Sequence, residues 1–350
     1  MSKRYAVLIA VLLCFTLVFS GCSNPLTSLR EFFNRDTQTA QKEVEEPKEE
    51  MPSLSEVNSV QPENTRATVM YYKDFDNYLV PVMRYIPKDP GIAKAAINAL
   101  IYSEETAADL APTGLLPSLP MGTKILGAVI KDNKHAVIDF SKEFLTFTSA
   151  KAEEAGIKAV VYTLTEFPNI ETVQIRVEGK AVDEMPLGTK LLPEMRRDEI
   201  NLQTAQISGD KLSKVMVYYQ KKGKGEYSYF LPVTKLVSGF TNSVEAALTA
   251  LLEKPEMETG LISPFPEGTK LLGVQVKDGI AYINFSQEIL ANKDDPTAER
   301  AMMKAVTLTL KDFNVISKAK LFVDGKILED THGIGANEYV DVPVFVNFYE

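Results

Sequence analysis

The chain writes one hairpin twice. "PMGTKILGAVIKDNKHAVIDFSKEFL" runs from Pro120 to Leu145, and "PEGTKLLGVQVKDGIAYINFSQEIL" runs from Pro266 to Leu290. The likeness continues on both sides. "VMYY" at Val69 to Tyr72 answers "MVYY" at Met216 to Tyr219, "YLVPV" at Tyr78 to Val82 answers "YFLPV" at Tyr229 to Val233, and "AAINALI" from Ala95 answers "AALTALL" from Ala246. Each half closes on a similar segment, "VQIRVEGK" from Val173 or "AKLFVDGK" from Ala319. Self-similarity on this scale marks a tandem duplication of one folding unit, so a fold proposed for one half must also suit the other.

Within each unit the pattern alternates between strand and helix periods. Two β-rich runs around a turn predict a first hairpin. An amphipathic helix follows, with Ile92, Ala95, Ala96, Ala99 and Leu100 on one face in the first unit and Val244, Ala247, Leu248 and Leu251 in the second. Asn242, with Glu245 three residues on, suggests a capping box. The repeated hairpin comes next; Asp278-Gly279 suits a two-residue type I′ turn, and the first copy spends one more residue there. Ala281, Ile283 and Phe285 alternate with Tyr282 and Asn284, as Ala136, Ile138 and Phe140 do with Val137 and Asp139, giving one core face and one mixed face. A second helix buries Ile157, Val160, Val161, Leu164 and Phe167; its other copy begins with Asp295 as N-cap and Pro296 at the first helical position. A last strand completes the unit. The expected fold class is α+β: tandem ββαββαβ units, each an antiparallel or mixed sheet with two helices on one face. A third "GTKLL", from Gly188, has no strand pair after it and reads as a chance echo.

The start of the chain has a different character. Lys3 and Arg4 precede an apolar run from Ala6 to Val18, the layout of an export signal. Ser20-Gly21 directly before Cys22 looks like a bacterial lipobox, although Phe19 stands where leucine is usual. Cys14 would leave with the signal, so lipid on Cys22 would consume the one remaining thiol and exclude disulfides, cysteine-ligated metals and thiol nucleophiles. The formal charge of -9, more negative still without Lys3 and Arg4, disfavours nucleic acid as a partner. It also means that acyl chains, rather than a basic patch, must hold the protein to a membrane. The segment "QKEVEEPKEEMPSLSEVNSVQPEN" is acidic and broken by proline, and Leu26 to Phe33 before it reads as a short membrane-side helix or a disordered start. The expected organisation is a signal peptide at 1–21, a lipid-anchored acidic disordered linker at 22–66, a first unit at 67–187, an inter-unit linker at 188–212 and a second unit at 213–350.

Little in the sequence looks like bond-making chemistry. A hydrolase needs a nucleophile with a base, a metal, or paired carboxylates. Ser208 and Ser317 fit Ser-x-x-Lys by chance, and His135 and His332 are expected to be solvated. Asp74 with Asp76, or Asp294 with Asp295, could touch a cation, though neither pair has EF-hand spacing. Glu143 and Glu288 occupy matching places in the repeat, as inheritance requires. No cofactor, metal or catalytic residue is expected. The doubled loops "GLLPSLPMGTK" and "GLISPFPEGTK" offer Leu115, Leu119, Leu261 and Phe265 either as the lining of a partner groove or as a lid on the core.

With the lipobox, the acidic leash and the doubled "P-x-G-T-K-[IL]-L-G" units in view, the chain resembles the sporulation and germination lipoproteins made of two Germane (GerMN) domains. The resemblance covers nearly all of the chain after the linker. It implies a fold similar to the ring-building motifs of secretion systems, and a non-enzymatic scaffold anchored to the mother-cell membrane facing the forespore. There it would help assemble the channel-like complex between the two cells, with other envelope or sporulation-complex proteins as partners. The alternative is a peptidoglycan-binding module of the cell envelope, which would expose aromatics such as Tyr71, Tyr72, Tyr218 and Tyr219.

Overall fold

The computed structural model describes residues 62–88, 91–203, 212–327 and 339–349. The expectations for Cys22, Leu26 to Phe33, Ser208 and His332 lie outside the described residues. The first unit opens with β1 (Thr65–Lys73) and β2 (Leu79–Pro87), an antiparallel pair with Tyr72 opposite Val80. Asp74 shapes the turn between them: its Oδ1 accepts from the amides of Asp76 (2.9 Å) and Tyr78 (2.8 Å), a local bond that aspartate's short carboxylate can reach. Then come α1 (Ile92–Asn98), α2 (Glu104–Leu110), β3 (Ile125–Lys131), β4 (His135–Phe140), α3 (Ala150–Leu164), β5 (Thr172–Val177) and β6 (Lys180–Ala181). The second unit comprises β7 (Leu212–Lys222), β8 (Ser228–Ser238), α4 (Ser243–Leu252), β9 (Leu261–Ile262), β10 (Leu271–Lys277), β11 (Ile280–Phe285), α5 (Pro296–Leu310), β12 (Lys318–Val323), β13 (Lys326–Ile327) and β14 (Val340–Asp341).

The expected α+β order is present in both units, and the layer plan has one layer more than expected. Strands divide between two sheets: β1 and β2 stand apart from β3-β4-β5-β6, just as β8-β7-β9 stands apart from β10-β11-β12-β13, where β14 also joins β12. The larger sheets are mixed. β3 runs antiparallel to β4, whereas β5 runs parallel to it, because α3 returns the chain to the starting end between them; β10, β11 and β12 repeat this. The helices sit between hairpin and mixed sheet, α3 touching β1, β5 and α1. That position explains why α3 is buried nearly all round, far beyond the Ile157, Val160, Val161 and Leu164 stripe.

The local signals perform as their chemistry requires. Asp295 Oδ1 accepts from Thr297 N (2.9 Å) and Ala298 N (3.1 Å) ahead of Pro296. Asn242 Oδ1 accepts from Val244 N (3.0 Å) and Glu245 N (3.5 Å), while the reciprocal capping box forms at Ser103 and Thr106 on the unforeseen α2. Asp278 (φ 52°) and Gly279 (φ 79°) both lie in the left-handed region, as a type I′ turn demands. One reading needs correction. His135 is buried, with Nδ1 2.8 Å from Thr172 Oγ1, because it begins β4 instead of ending the turn. On the mixed face, Asn284 is buried too; its Oδ1 accepts from Gly325 N at 2.9 Å, the bond Asp139 makes to Gly179 N at the same distance.

Residues 188–203, expected as part of a linker, are packed. Met195 and Val173 exchange two backbone hydrogen bonds of 2.9 Å, and Leu191, Met195 and Ile200 are buried, which removes apolar surface from water. The third "GTKLL" sits here in its own role: the Leu187 and Thr189 amides donate to the buried carboxylate of Glu153 (2.9 and 3.0 Å). A single cluster of buried apolar residues runs from Met70 in the first unit to Val346 at the end of the second. The two units therefore share a core.

Candidate functional site

Leu115, Leu119 and Leu261 are buried, and Phe265 is half-buried against Phe285, with ring centroids 6.3 Å apart. These side chains close the core, which corrects their reading as the lining of a partner groove: a leucine inside the core has no surface to offer. Tyr71, Tyr72, Tyr218 and Tyr219 are buried as well, and burial pushes each hydroxyl above the ordinary tyrosine value. They cannot form an exposed platform for sugar rings. Asp74 and Asp76 do hold a cation, the ammonium of Lys221, whose Nζ donates to each carboxylate at 2.6 Å. Among the described residues no cluster of three or more His, Cys, Asp or Glu side chains is placed to hold a metal ion. Glu143 and Glu288 lie in solvent, each held below the usual carboxylate range chiefly by a hydrogen bond from Ser141 or Ser286.

The densest polar construction is the junction between units. β2 and β8 are edge strands, and each carries a proline, Pro81 or Pro232, at an outward-facing position where no N–H is required. Two asparagines fill the gap. Asn201 Nδ2 donates to Leu79 O and Pro232 O (2.8 Å each), and its Oδ1 accepts from Leu79 N (2.8 Å). Asn347 Nδ2 donates to Phe230 O (2.7 Å) and Pro81 O (2.8 Å), and its Oδ1 accepts from Phe230 N (2.8 Å). Asn201 and Asn347 lie at the same offset as Pro120 and Pro266, so they are one position of the repeat. Around them, the segment after each unit pairs with the other unit. Thr234 N donates to Ile200 O and Gln203 N to Thr234 O (2.9 and 3.0 Å); Met83 N donates to Asn347 O and Tyr349 N to Met83 O (2.8 and 3.3 Å).

Arg197, just before Asn201, braces the same junction. It stacks over Tyr162 and Tyr71 (4.9 and 5.7 Å to the ring centroids), donates to Tyr162 O (3.0 Å) and Thr165 Oγ1 (2.9 Å), and pairs with Glu166. The cavity it lines with Tyr71, Tyr218 and Asp312 is about 40 Å³, room for little more than a water molecule. A broader concavity of about 900 Å³ lies along α3, where the charged side chains pair among themselves, as Lys158 does with Glu154 and Arg196 with Glu194. Sequence reading missed Asn201, Asn347, Arg197 and Lys221. The usable signal was the recurrence of an asparagine at one repeat position, together with a proline inside each first hairpin.

One edge of the first mixed sheet is apolar and exposed. Among the described residues, β3 pairs with β4 on one side and no strand lies on the other, so part of its backbone is unpaired there. Leu126, Val129 and Ile130 are 51%, 60% and 40% exposed, and Met121 nearby is 60% exposed. At the matching edge, β10, glutamine stands in place of Val129 and the neighbouring Val274 is buried. The two units thus present unlike edges.

A family model described as "Germane: Sporulation and spore germination" matches residues 68–183 and 216–329, once per unit. The chain is 28% identical over 316 residues to the spore germination protein GerM of Bacillus subtilis (strain 168), covering 88% of this chain and 84% of that protein. It is also similar to the solved tandem GerMN domains of the sporulation protein GerM from Bacillus subtilis, with a TM-score of 0.70 and 29% identity over 82% of this chain and 100% of that one. Doubled sequence, doubled fold and doubled match agree: the chain belongs to the Germane family of sporulation and spore germination proteins, and carries its domain twice.

Proposed function

We propose that the protein is a non-enzymatic scaffold of the sporulating cell envelope, a lipoprotein held by acyl chains on Cys22 at the outer face of the mother-cell membrane, facing the forespore. There it helps assemble an envelope complex between the two cells and so affects spore formation and germination. Its partners are other proteins of that complex. The acidic segment that follows Cys22 acts as the leash, and the paired units act as one rigid body. Family membership and the likeness to a Bacillus subtilis sporulation protein support the setting. The observation that carries the scaffold reading is the apolar, unpaired edge at β3: surface of this kind marks an interaction site in a soluble body. A peptidoglycan-binding role has less support, because the tyrosines that would stack on sugars are inside the core.

The test places charge on that edge. In a spore-forming host whose own copy is replaced, the Val129→Lys, Ile130→Lys double variant is expected to reduce spore yield about tenfold or more at unchanged protein level, as loss of a central apolar contact would. Both side chains face solvent, so the fold has no reason to fail. Normal spore yield with the double variant would contradict the proposal.

A further inference from the structure

The junction has the form of a symmetric dimer interface built into one chain. Asn201 joins Leu79 to Pro232 and Asn347 joins Pro81 to Phe230, which places Val80 opposite Leu231 across an approximate two-fold axis. In a true symmetric dimer, a residue near such an axis meets its own copy. Here Tyr72-Lys73-Asp74 of the first unit corresponds to Tyr219-Gln220-Lys221 of the second, and the corresponding residues Asp74 and Lys221 meet, with Nζ 2.6 Å from Oδ2. The flanking contacts are reciprocal as well. Tyr229 Oη donates to Asp74 Oδ2 (3.3 Å), and Lys221 Nζ lies 4.7 Å from the ring centroid of Tyr78, the residue that corresponds to Tyr229. Both members of the pair are buried.

We infer that Asp74 and Lys221 make this a heterotypic interface, in which a first unit accepts only a second unit, and that the same face accepts the second unit of another copy of this chain. Pairing two first units would bury carboxylate against carboxylate, and pairing two second units would bury ammonium against ammonium. Neither arrangement is tolerated in a site closed to water. Pairing a first unit with the second unit of another copy satisfies each of these contacts and closes after two chains, because each chain then offers one unit of each kind. The connection permits it. Gln203 lies beside Lys235 and Leu212 is paired with Ser238, three residues further along β8, so closure within one chain asks residues 204–211 to bridge about 10 Å of strand plus the step across it. That segment can reach about twice as far. In dilute solution the short tether keeps each chain paired with itself at an effective concentration of roughly millimolar order. Crowding of copies shifts the balance towards exchange.

Deleting residues 204–211 from the full chain tests this with both units unaltered, because Gln203 joined directly to Leu212 cannot span the gap within one chain. The expected result is a discrete two-chain species by light scattering, with the circular dichroism of the parent. Adding Lys221→Asp should weaken its association at least tenfold, whereas Lys221→Arg, which keeps the cation facing Asp74 and Asp76, should retain most of it. A monomeric deletion variant would overturn the inference, and so would association indifferent to Lys221→Asp. The intact chain supplies an independent readout: two fluorescently labelled populations, unfolded together and refolded at high concentration, should form mixed two-chain species in proportion to concentration. Absence of energy transfer at every concentration would equally overturn it.

Discussion

Asn347→Ala is expected to lower the unfolding free energy by about 3 kcal/mol or more, seen as a reduced denaturation midpoint in urea. The substitution strips partners from the Phe230 amide, the Phe230 carbonyl and the Pro81 carbonyl at once, in a place where Asn347 itself is only 5% exposed. A buried polar group left without a partner costs about 1–3 kcal/mol, and partial entry of water moderates the sum. The effect should also spread: Met83 and Tyr349 lose the geometry that aligns their backbone bonds, and Tyr349 its contact with Tyr227 and Asp109. Asn201→Ala removes the same set of bonds from a less buried site and should cost less. Equal and negligible effects from both substitutions would mean that the two tails merely rest on the edge strands.

Lys221→Met is expected to cost about 3–5 kcal/mol, because it leaves the Asp74 carboxylate buried without its counter-ion. The pH dependence has a definite sign. Burial alone would lower the lysine pKa, but the hydrogen bonds and charges of Asp74 and Asp76 outweigh it and raise the folded value above the ordinary one. A cationic group with a raised folded pKa stabilises fully below its unfolded value, about 10.4, and loses that contribution as pH climbs through the folded value. The gap between parent and variant should therefore be flat from about pH 7 to 9 and narrow above about pH 10.5. Thermal melts across that range measure it; a gap that widened with alkalinity would refute the assignment.

Much of the fold was legible because its signals are local. The duplication, the strand alternation of Ala281, Ile283 and Phe285, the Asp278-Gly279 turn and the Asp295-Pro296 helix start each depend on a few adjacent residues. Helix α2 escaped notice because "EETAADL" is short, polar on most faces and held by Thr106 bonding back to Ser103 and Ile101. The division into two sheets per unit was not legible: alternation marks a strand but does not name its neighbour. Burial of Tyr71 and Tyr218 was hidden by their amphipathic nature, which suits a wet groove as well as a core in which Tyr71 Oη can donate to Glu166 at 3.0 Å. At the junction, Ile200-Asn201 and Val346-Asn347 looked like linker and tail because their partners lie far away in sequence.

The two units behave as one body held by exchanged tails. Hydrogen exchange in the native state tests this at single amides. Gln203 and Tyr349, which donate across the junction, should be protected to nearly the same degree as the core amides of β4 and β11, and should open together with them. Exchange of those two amides at the rate of an unstructured chain, while the sheets stay protected, would contradict it.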